Sequence, residues 1–390
     1  MLSIPEGWKL TRVGEDCSVR NDLRKPISVN ERSLMQGPFP YYGPTGILDH
    51  INEFLVEGEF GLIGEDGDHF LKPDEKPQTI FVKGQFNVNN HAHLIESTAS
   101  CSSIWFVLFF KHRNITDFLS RQGANRYKLN KATLEKLPIL LPPLPEQRAI
   151  ADLLSTWDEA IDKTERLIQA KERRFKGLMN DLIYLPAVNG KWEQIRTKAL
   201  FIERKETRRK ELPLLSITNG EGVIPRDDTN RKDTSNKDKS KYLRICPGDI
   251  GYNTMRMWQG VSALSTLEGI VSPAYTICIP GGKLSPYFVA YLFKMPFMIH
   301  RFYRYSQGLT SDTWNLKYPN FCEVKMPLPS LEEQQQIAST LAAAQQEIDL
   351  LKQLAADYKT QKRGLMQKLL TGEWRVKTMI SDQCSVKNEK

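Results

Sequence analysis

The sequence predicts an α+β fold. Two globular domains are separated by two long helices, which pair as an antiparallel coiled coil in a pseudo-twofold, circular organisation. Three observations predict it. PLPEQRAIADLLSTWDEAID, from Pro143 to Asp162, returns as PSLEEQQQIASTLAAAQQEID, from Pro329 to Asp349. Apolar residues in both copies alternate at spacings of four and three, the signature of a coiled-coil seam. A different mixed segment, with short β-type runs between Gly, Pro, Asn and Asp turns, precedes each copy.

The copies align without a gap for about forty residues at an offset of 187. Glu146-Gln147 match Glu333-Gln334, Ile150-Ala151 match Ile337-Ala338, and Gly177-Leu178-Met179 match Gly364-Leu365-Met366. The first seam is Ile150, Leu154, Trp157, Ile161, Thr164, Ile168, Lys171, Phe175, Leu178 and Leu182. The second is Ile337, Leu341, Ala344, Ile348, Leu351, Ala355, Tyr358, Lys362, Leu365 and Leu369. Helices from about Glu146 to Ile183 and from about Glu333 to Leu370 follow, each a rod of roughly 55 Å at ~1.5 Å per residue. Prolines stand just before each start, where a helix tolerates them. The polar seam residue Lys362 is expected to lay its stem along the seam and lift its ammonium to water. For Lys171 that reading and control of register are both open. Near-copies within one chain are expected to pair with each other.

Gly7-Trp8, Gly190-Lys191-Trp192 and Gly372-Glu373-Trp374 open similar phrases, and the third has no domain after it. The tail is therefore expected to pack beside the N-terminal domain. The organisation read from this is a first domain at 1–138, a first helix region at 139–188, a second domain at 189–325, a second helix region at 326–374 and a tail at 375–390. The domains share weak phrasing at drifting offsets: Phe106-Val107 with Phe288-Val289, Lys111 with Lys294, Gln122-Gly123 with Gln307-Gly308. β-type runs lie at Ile80–Val82, Leu214–Ile217 and Tyr275–Ile279, and helical stretches follow at 103–120 and 286–305.

With 390 residues, 40% hydrophobic and 26% charged, the chain can bury real cores. No stretch approaches the roughly 18 apolar residues of a membrane span, and no secretory signal opens it. Six cysteines lack any C-x-x-C pair, so neither a zinc site nor a disulfide framework is expected, and the expected location is cytoplasmic. The net charge of +8 is compatible with a polyanionic partner. Between Glu203 and Arg244 there are 12 Lys or Arg against 8 Asp or Glu, which is half of that excess. A solvated linker face is the alternative reading of this segment.

Catalytic equipment is not recognisable. Gly190-Lys191 and Gly282-Lys283 are followed by Trp and Leu rather than the Ser or Thr of a phosphate loop. Pro142-Pro143 lies in Leu-Pro-Pro-Leu rather than in an Asn-Pro-Pro-Tyr methyltransferase loop. The glycines at 58, 61, 64 and 67 have period three and read as turns. His91-x-His93 has no accompanying ligand motif, so no metal site is expected.

Across essentially its whole length the chain resembles the specificity subunits of type I restriction–modification systems. The carrying motifs are the doubled helix starts and both Gly-Leu-Met triplets. Others are YYGPTGI (Tyr41–Ile47), GLIGEDG (Gly61–Gly67), FNVNNHAHLI (Phe86–Ile95), GDIGYNTMRMWQG (Gly248–Gly260) and GIVSPAYTI (Gly269–Ile277). The resemblance implies two target-recognition domains, each reading half of a split, asymmetric DNA sequence, with the paired helices setting the spacing. It implies a non-catalytic chain whose partners are double-stranded DNA, two methyltransferase subunits and, through them, motor-nuclease subunits. S-adenosylmethionine, ATP and Mg2+ would belong to those subunits and none to this chain. The alternatives are a protein-binding coiled-coil scaffold and a recognition subunit for a fused nuclease-methyltransferase.

Base edges in the major groove are met by Arg or Lys at guanine and by Asn or Gln at adenine, and phosphates by cations and hydroxyls. DNA contacts are therefore expected in the first domain from Tyr41, Tyr42, Asn89, Asn90, His91, His93, Lys111, Arg113, Arg121, Gln122 and Arg126. Structural hydrogen bonding is the alternative for Asn90 and His91. In the second domain they are expected from Asn253, Arg256, Trp258, Arg301, Arg304, Gln307 and Lys317. The segment 226–241, with Arg226, Arg231, Lys232, Lys237 and Lys239, is expected to track phosphates. Met255, Met257 and Trp258 are also readable as core.

Overall fold

The computed structural model describes residues 4–72, 77–121, 127–228, 238–310 and 313–376. The chain forms two compact units, one of residues 1–163 and 355–390 and the other of residues 164–354. Each unit takes a stretch of both long helices, which run Leu144–Met179 and Leu331–Leu370. The first continues as one π-helical turn, Asn180–Tyr184, into the short helix Leu185–Val188. Among the described residues no helix is long and apolar enough to cross a membrane.

The first unit is built on a six-stranded sheet. Val56–Gly64 lies between the antiparallel strands Thr79–Val88 and Ala92–Glu96, and the hairpin Gln36–Tyr42/Ile47–Ile51 extends the Thr79–Val88 side. The helix Ser103–Phe110 covers this sheet. Its apolar residues run all round it and nearly all are buried, as a helix enclosed on every side requires. Gly58, Gly61 and Gly64 lie within a strand and so correct the turn reading. A Cβ on Gly61 would sit 3.0 Å from Val107 Cγ2 and 3.1 Å from the Ser103 carbonyl. The glycine is what lets the helix backbone approach the strand.

The second unit carries a four-stranded sheet in the order Phe201–Glu203, Tyr275–Pro280, Ile250–Asn253, Ser262–Leu264. Two short antiparallel ladders stand beside it, Leu215–Ile217 with Val223–Pro225 and Leu243–Ile245 with Gly269–Val271.

Neither domain helix has the predicted length. The first ends at Phe110, where the buried Gln78 side chain donates to the carbonyls of Phe110 and Arg113 just past the last turn. The second splits into Pro286–Leu292 and Pro296–Tyr305. Pro296 has no N–H and forces Met295 into an extended conformation.

One frame is built twice. Lys9–Arg12 pairs with Pro138–Leu141, and Glu193–Arg196 pairs with Lys325–Leu328. The Trp8 indole N–H donates to Glu146 at 3.1 Å, and that of Trp192 donates to Glu333 at 3.4 Å. Ser102 and Ser285 cap the covering helices through the N–H groups of Trp105 and Phe288. The caps therefore match Trp105 with Phe288, one residue away from the Phe106–Phe288 pairing suggested by the sequence.

Within each unit the long helices run antiparallel. In the first, Trp157 meets Tyr358 edge to face at 5.7 Å and Asp158 accepts from Lys362. In the second, Lys171 pairs with Glu347 at 2.5 Å and Glu172 with Lys352 at 2.7 Å. Every seam position named above is buried or half-buried. Lys362, only 7% exposed, does not lift its ammonium to water but ends on Asp158. The tail closes the first unit, where Arg375 donates to both Glu146 oxygens and to the Glu6 carbonyl.

Candidate nucleic-acid interface

Three of the expected DNA contacts in the first unit face inward. The Tyr41 hydroxyl accepts from Ile27 N–H and donates to the Lys25 carbonyl, both at 2.9 Å, and the ring is 1% exposed. Asn89 is buried and its Oδ1 accepts from His91 N–H at 2.8 Å, forming a local turn. His93 is buried between the Leu129 carbonyl at 2.6 Å and the Asn21 side chain at 2.8 Å. Burial holds its imidazole below the usual histidine range, against the opposing pull of the Leu129 carbonyl and Glu65. A buried, satisfied side chain cannot present itself to a base edge, so Tyr41, Asn89 and His93 are frame residues. The His91 and His93 rings take different partners, and no group of three or more metal-binding side chains occurs among the described residues.

What stays outward is Asn90 and His91, on the rim of a cavity of about 470 Å³ walled by Pro26–Arg32 and Tyr41. His91 Nδ1 lies 3.0 Å from Asp66 Oδ1, and Arg24 donates to the Asn90 carbonyl at 3.0 Å, so the rim is ordered. Ser28 caps the adjacent helix Val29–Leu34 in a full capping box with Glu31. Tyr42 is half-buried against Phe86, and Arg121 is exposed. Arg113 lies over the Phe109 ring at 3.8 Å and Lys111 is half-buried, its ammonium destabilised by burial and then by Lys362. Both belong to the flank of the long helices, not to the Asn90 rim. Gln122 and Arg126 lie outside the described residues.

In the second unit Arg226 lines a cavity of about 490 Å³ between the Leu215–Pro225 hairpin and the Ser272–Tyr275 turn. Arg226 donates to Ser216 Oγ at 3.2 Å, and the Lys239 ammonium lies 4.8 Å from the centre of the Tyr242 ring, which lines the cavity. Lys241, within the segment expected to track phosphates, also lines it, as do Ser216, Tyr242 and Tyr275, which were missed. The sequence spreads these residues over about sixty positions with no common motif, so only the fold brings them together. Arg231, Lys232 and Lys237 lie outside the described residues.

A second outward face carries Arg256, Arg304, Gln307 and Lys317, all exposed. Trp258 is held by its N–H to the Met255 carbonyl and by an edge-to-face contact with Trp314 at 5.1 Å. Asn253 Oδ1 accepts from Met255 N–H. Met257 is core, but Met255 is 42% exposed, which corrects its core reading. Arg301 is half-buried and donates to Gln194 and to the Lys325 carbonyl at 2.7 and 2.6 Å.

Comparison with known proteins completes the picture. A family model described as the type I restriction modification DNA specificity domain matches twice, over residues 5–172 and 194–357. A type I restriction enzyme specificity subunit of Methanocaldococcus jannaschii is 23% identical over 97% of this chain and 95% of its own length. A Haemophilus influenzae chain assigned as a type I restriction enzyme specificity subunit is 34% identical over 147 residues, which is 38% of this chain and 36% of that one. The crystal structure of a type I restriction-modification S subunit from M. genitalium shares the fold with a TM-score of 0.60 at 14% identity, covering 94% of this chain and 98% of that one.

Proposed function

We propose the following role for this chain, which belongs to the type I restriction modification DNA specificity family: each unit reads one half of a split, asymmetric duplex sequence. The observation that carries the reading is a single frame built twice under unlike outward residues. The ladder, the Trp–Glu contact and the capped helix recur in both units. Asn90, His91 and Arg121 face out from one unit, and Arg256, Arg304, Gln307 and Lys317 from the other, where Arg226 and Lys239 are half-buried. A constant frame holds a reader, and variable side chains choose the bases.

In this reading the long helices set the number of base pairs between the half-sites and dock two methyltransferase subunits, through which motor-nuclease subunits join. The chain itself is non-catalytic and acts in the cytoplasm. S-adenosylmethionine, ATP and Mg2+ serve the partner subunits.

The test is co-expression with the methyltransferase subunits, followed by mapping of methylated bases and duplex titration at several salt concentrations. One split methylated motif is expected, with affinity falling steeply as salt rises because phosphate contacts release counterions. Salt-indifferent binding and no methylated motif would instead leave a protein scaffold.

A further inference from the structure

The break between the helices Pro286–Leu292 and Pro296–Tyr305 brings Lys294 to the loop that joins the strands Ile250–Asn253 and Ser262–Leu264. Its ammonium donates to the carbonyls of Gly260 and Ser262, both at 2.8 Å, and to the side-chain oxygen of Asn219 at 3.0 Å. An ammonium has three protons and no acceptor, so all three are used. Gly260 and Ser262 close the loop that carries Arg256 and Trp258. Asn219 is exposed on the turn of the neighbouring hairpin, where Thr218 N–H donates to the Gly222 carbonyl at 2.8 Å. One side chain from the frame therefore holds two outward loops.

Satisfying the buried residues Gly260 and Ser262 explains only part of this arrangement. A neutral donor would serve their carbonyls, whereas a half-buried ammonium has to give up water. Burial alone pulls that ammonium down to about 8, and no charged or titratable side chain acts on it among the described residues. The third proton goes to Asn219, an exposed side chain that water could satisfy. Nor does the shared frame call for the contact. Counting from the cap serines Ser102 and Ser285, Lys294 corresponds to Lys111. The charges that act on Lys111 are Lys362 and Asp158 of the long helices. In the first unit the position faces those helices, and in the second it ties down two loops.

We propose that Lys294 is a positioning residue for DNA reading: its ammonium locks the 254–262 loop, with Arg256 and Trp258, to the 218–222 turn, so that the two meet the duplex as one surface. The proposal rests on the split-site function above, because the loop matters to recognition only where Arg256 meets DNA.

The experiment uses the complex co-expressed with the methyltransferase subunits and a duplex carrying the methylated motif that the mapping returns. Lys294→Met removes the ammonium. Asn219→Ala cuts the link to the turn and leaves the two carbonyls served. Circular dichroism confirms that each variant is folded. Lys294→Met is expected to weaken duplex binding by about tenfold near neutral pH, and Asn219→Ala by about threefold. The double variant should be no weaker than Lys294→Met, since both changes break one link. Above about pH 8 the neutral amine has two protons for three acceptors. Parent affinity should therefore fall as pH rises from about 7 to 9, a step that Lys294→Met lacks. Variants that match the parent in affinity and pH profile overturn the proposal and leave Lys294 a partner of two carbonyls, with the split-site reading intact. Additive losses also overturn it, because Asn219 would then act on DNA by itself. A parent complex that binds no duplex at any salt sinks the split-site reading, and this role with it.

Discussion

The side-chain carbonyl of Gln147 accepts from both the N–H and the hydroxyl of Ser102, at 2.9 and 3.1 Å, which ties the start of the first long helix to the cap of the helix covering the sheet. Its amide donates to the carbonyls of Ser100 and Pro142. Gln334 repeats the arrangement, accepting from Ser285 N–H at 2.8 Å and donating to Lys283 and Pro329. Both glutamines are fully buried. Gln147→Ala leaves several backbone groups without partners where water cannot replace them. A loss of about 2–4 kcal/mol in urea unfolding is expected, with a similar loss for Gln334→Ala. A loss below about half a kcal/mol at either position would show that the glutamine is incidental.

Lys362 and Asp158 should respond unequally. Lys362 is buried, whereas the Asp158 side chain is 58% exposed. Removing the carboxylate strands a buried ammonium, so Asp158→Ala should cost about 1–2 kcal/mol after allowance for solvent on the aspartate side. Lys362→Met places a similar volume in the seam with no charge to satisfy and should be within about 1 kcal/mol of the parent. Equal losses from the two changes would contradict this asymmetry.

Gly61→Ala tests the close approach of helix and strand. The added Cβ meets Val107 at 3.0 Å and the backbone carbonyl of Ser103 at 3.1 Å, and a backbone atom cannot swing aside. Destabilisation of about 1–3 kcal/mol is expected. Gly177→Ala, where nothing lies within 4 Å on a long helix, should be neutral or stabilising. Thermal melts of both variants decide it.

His93 predicts acid sensitivity. Its folded pKa lies below its unfolded value, so the unfolded chain binds the proton more readily. The stability it contributes is complete above about pH 6.5 and is lost as pH falls below that point, at up to about 1.4 kcal/mol per pH unit. The groups facing the ring are Asn21, Glu65, Arg24 and Lys128. His93→Gln retains an amide donor for the Leu129 carbonyl and should flatten the decline between pH 6.5 and 5, measured by denaturant midpoints. An unchanged decline would assign the acid sensitivity to the carboxylates.

The long helices, their seams and the doubled frame were legible in the sequence because they are local and periodic. A helix of 36 or 40 residues repeats its apolar face often enough to be read without knowing its neighbour. The outward residues were only partly legible. Tyr41, Asn89 and His93 are the right chemical types for reading DNA, but burial and hydrogen bonding decide that they hold the frame. Residue type says what a side chain can bind, whereas exposure depends on what else packs there. The cleft around Ser216, Tyr242 and Tyr275 could not be read at all, because its walls come from separate strands and turns. Periodicity along the chain determined the helices and the duplication. Long-range packing, which brings together residues unrelated in sequence position, decided which side chains are free to meet a ligand.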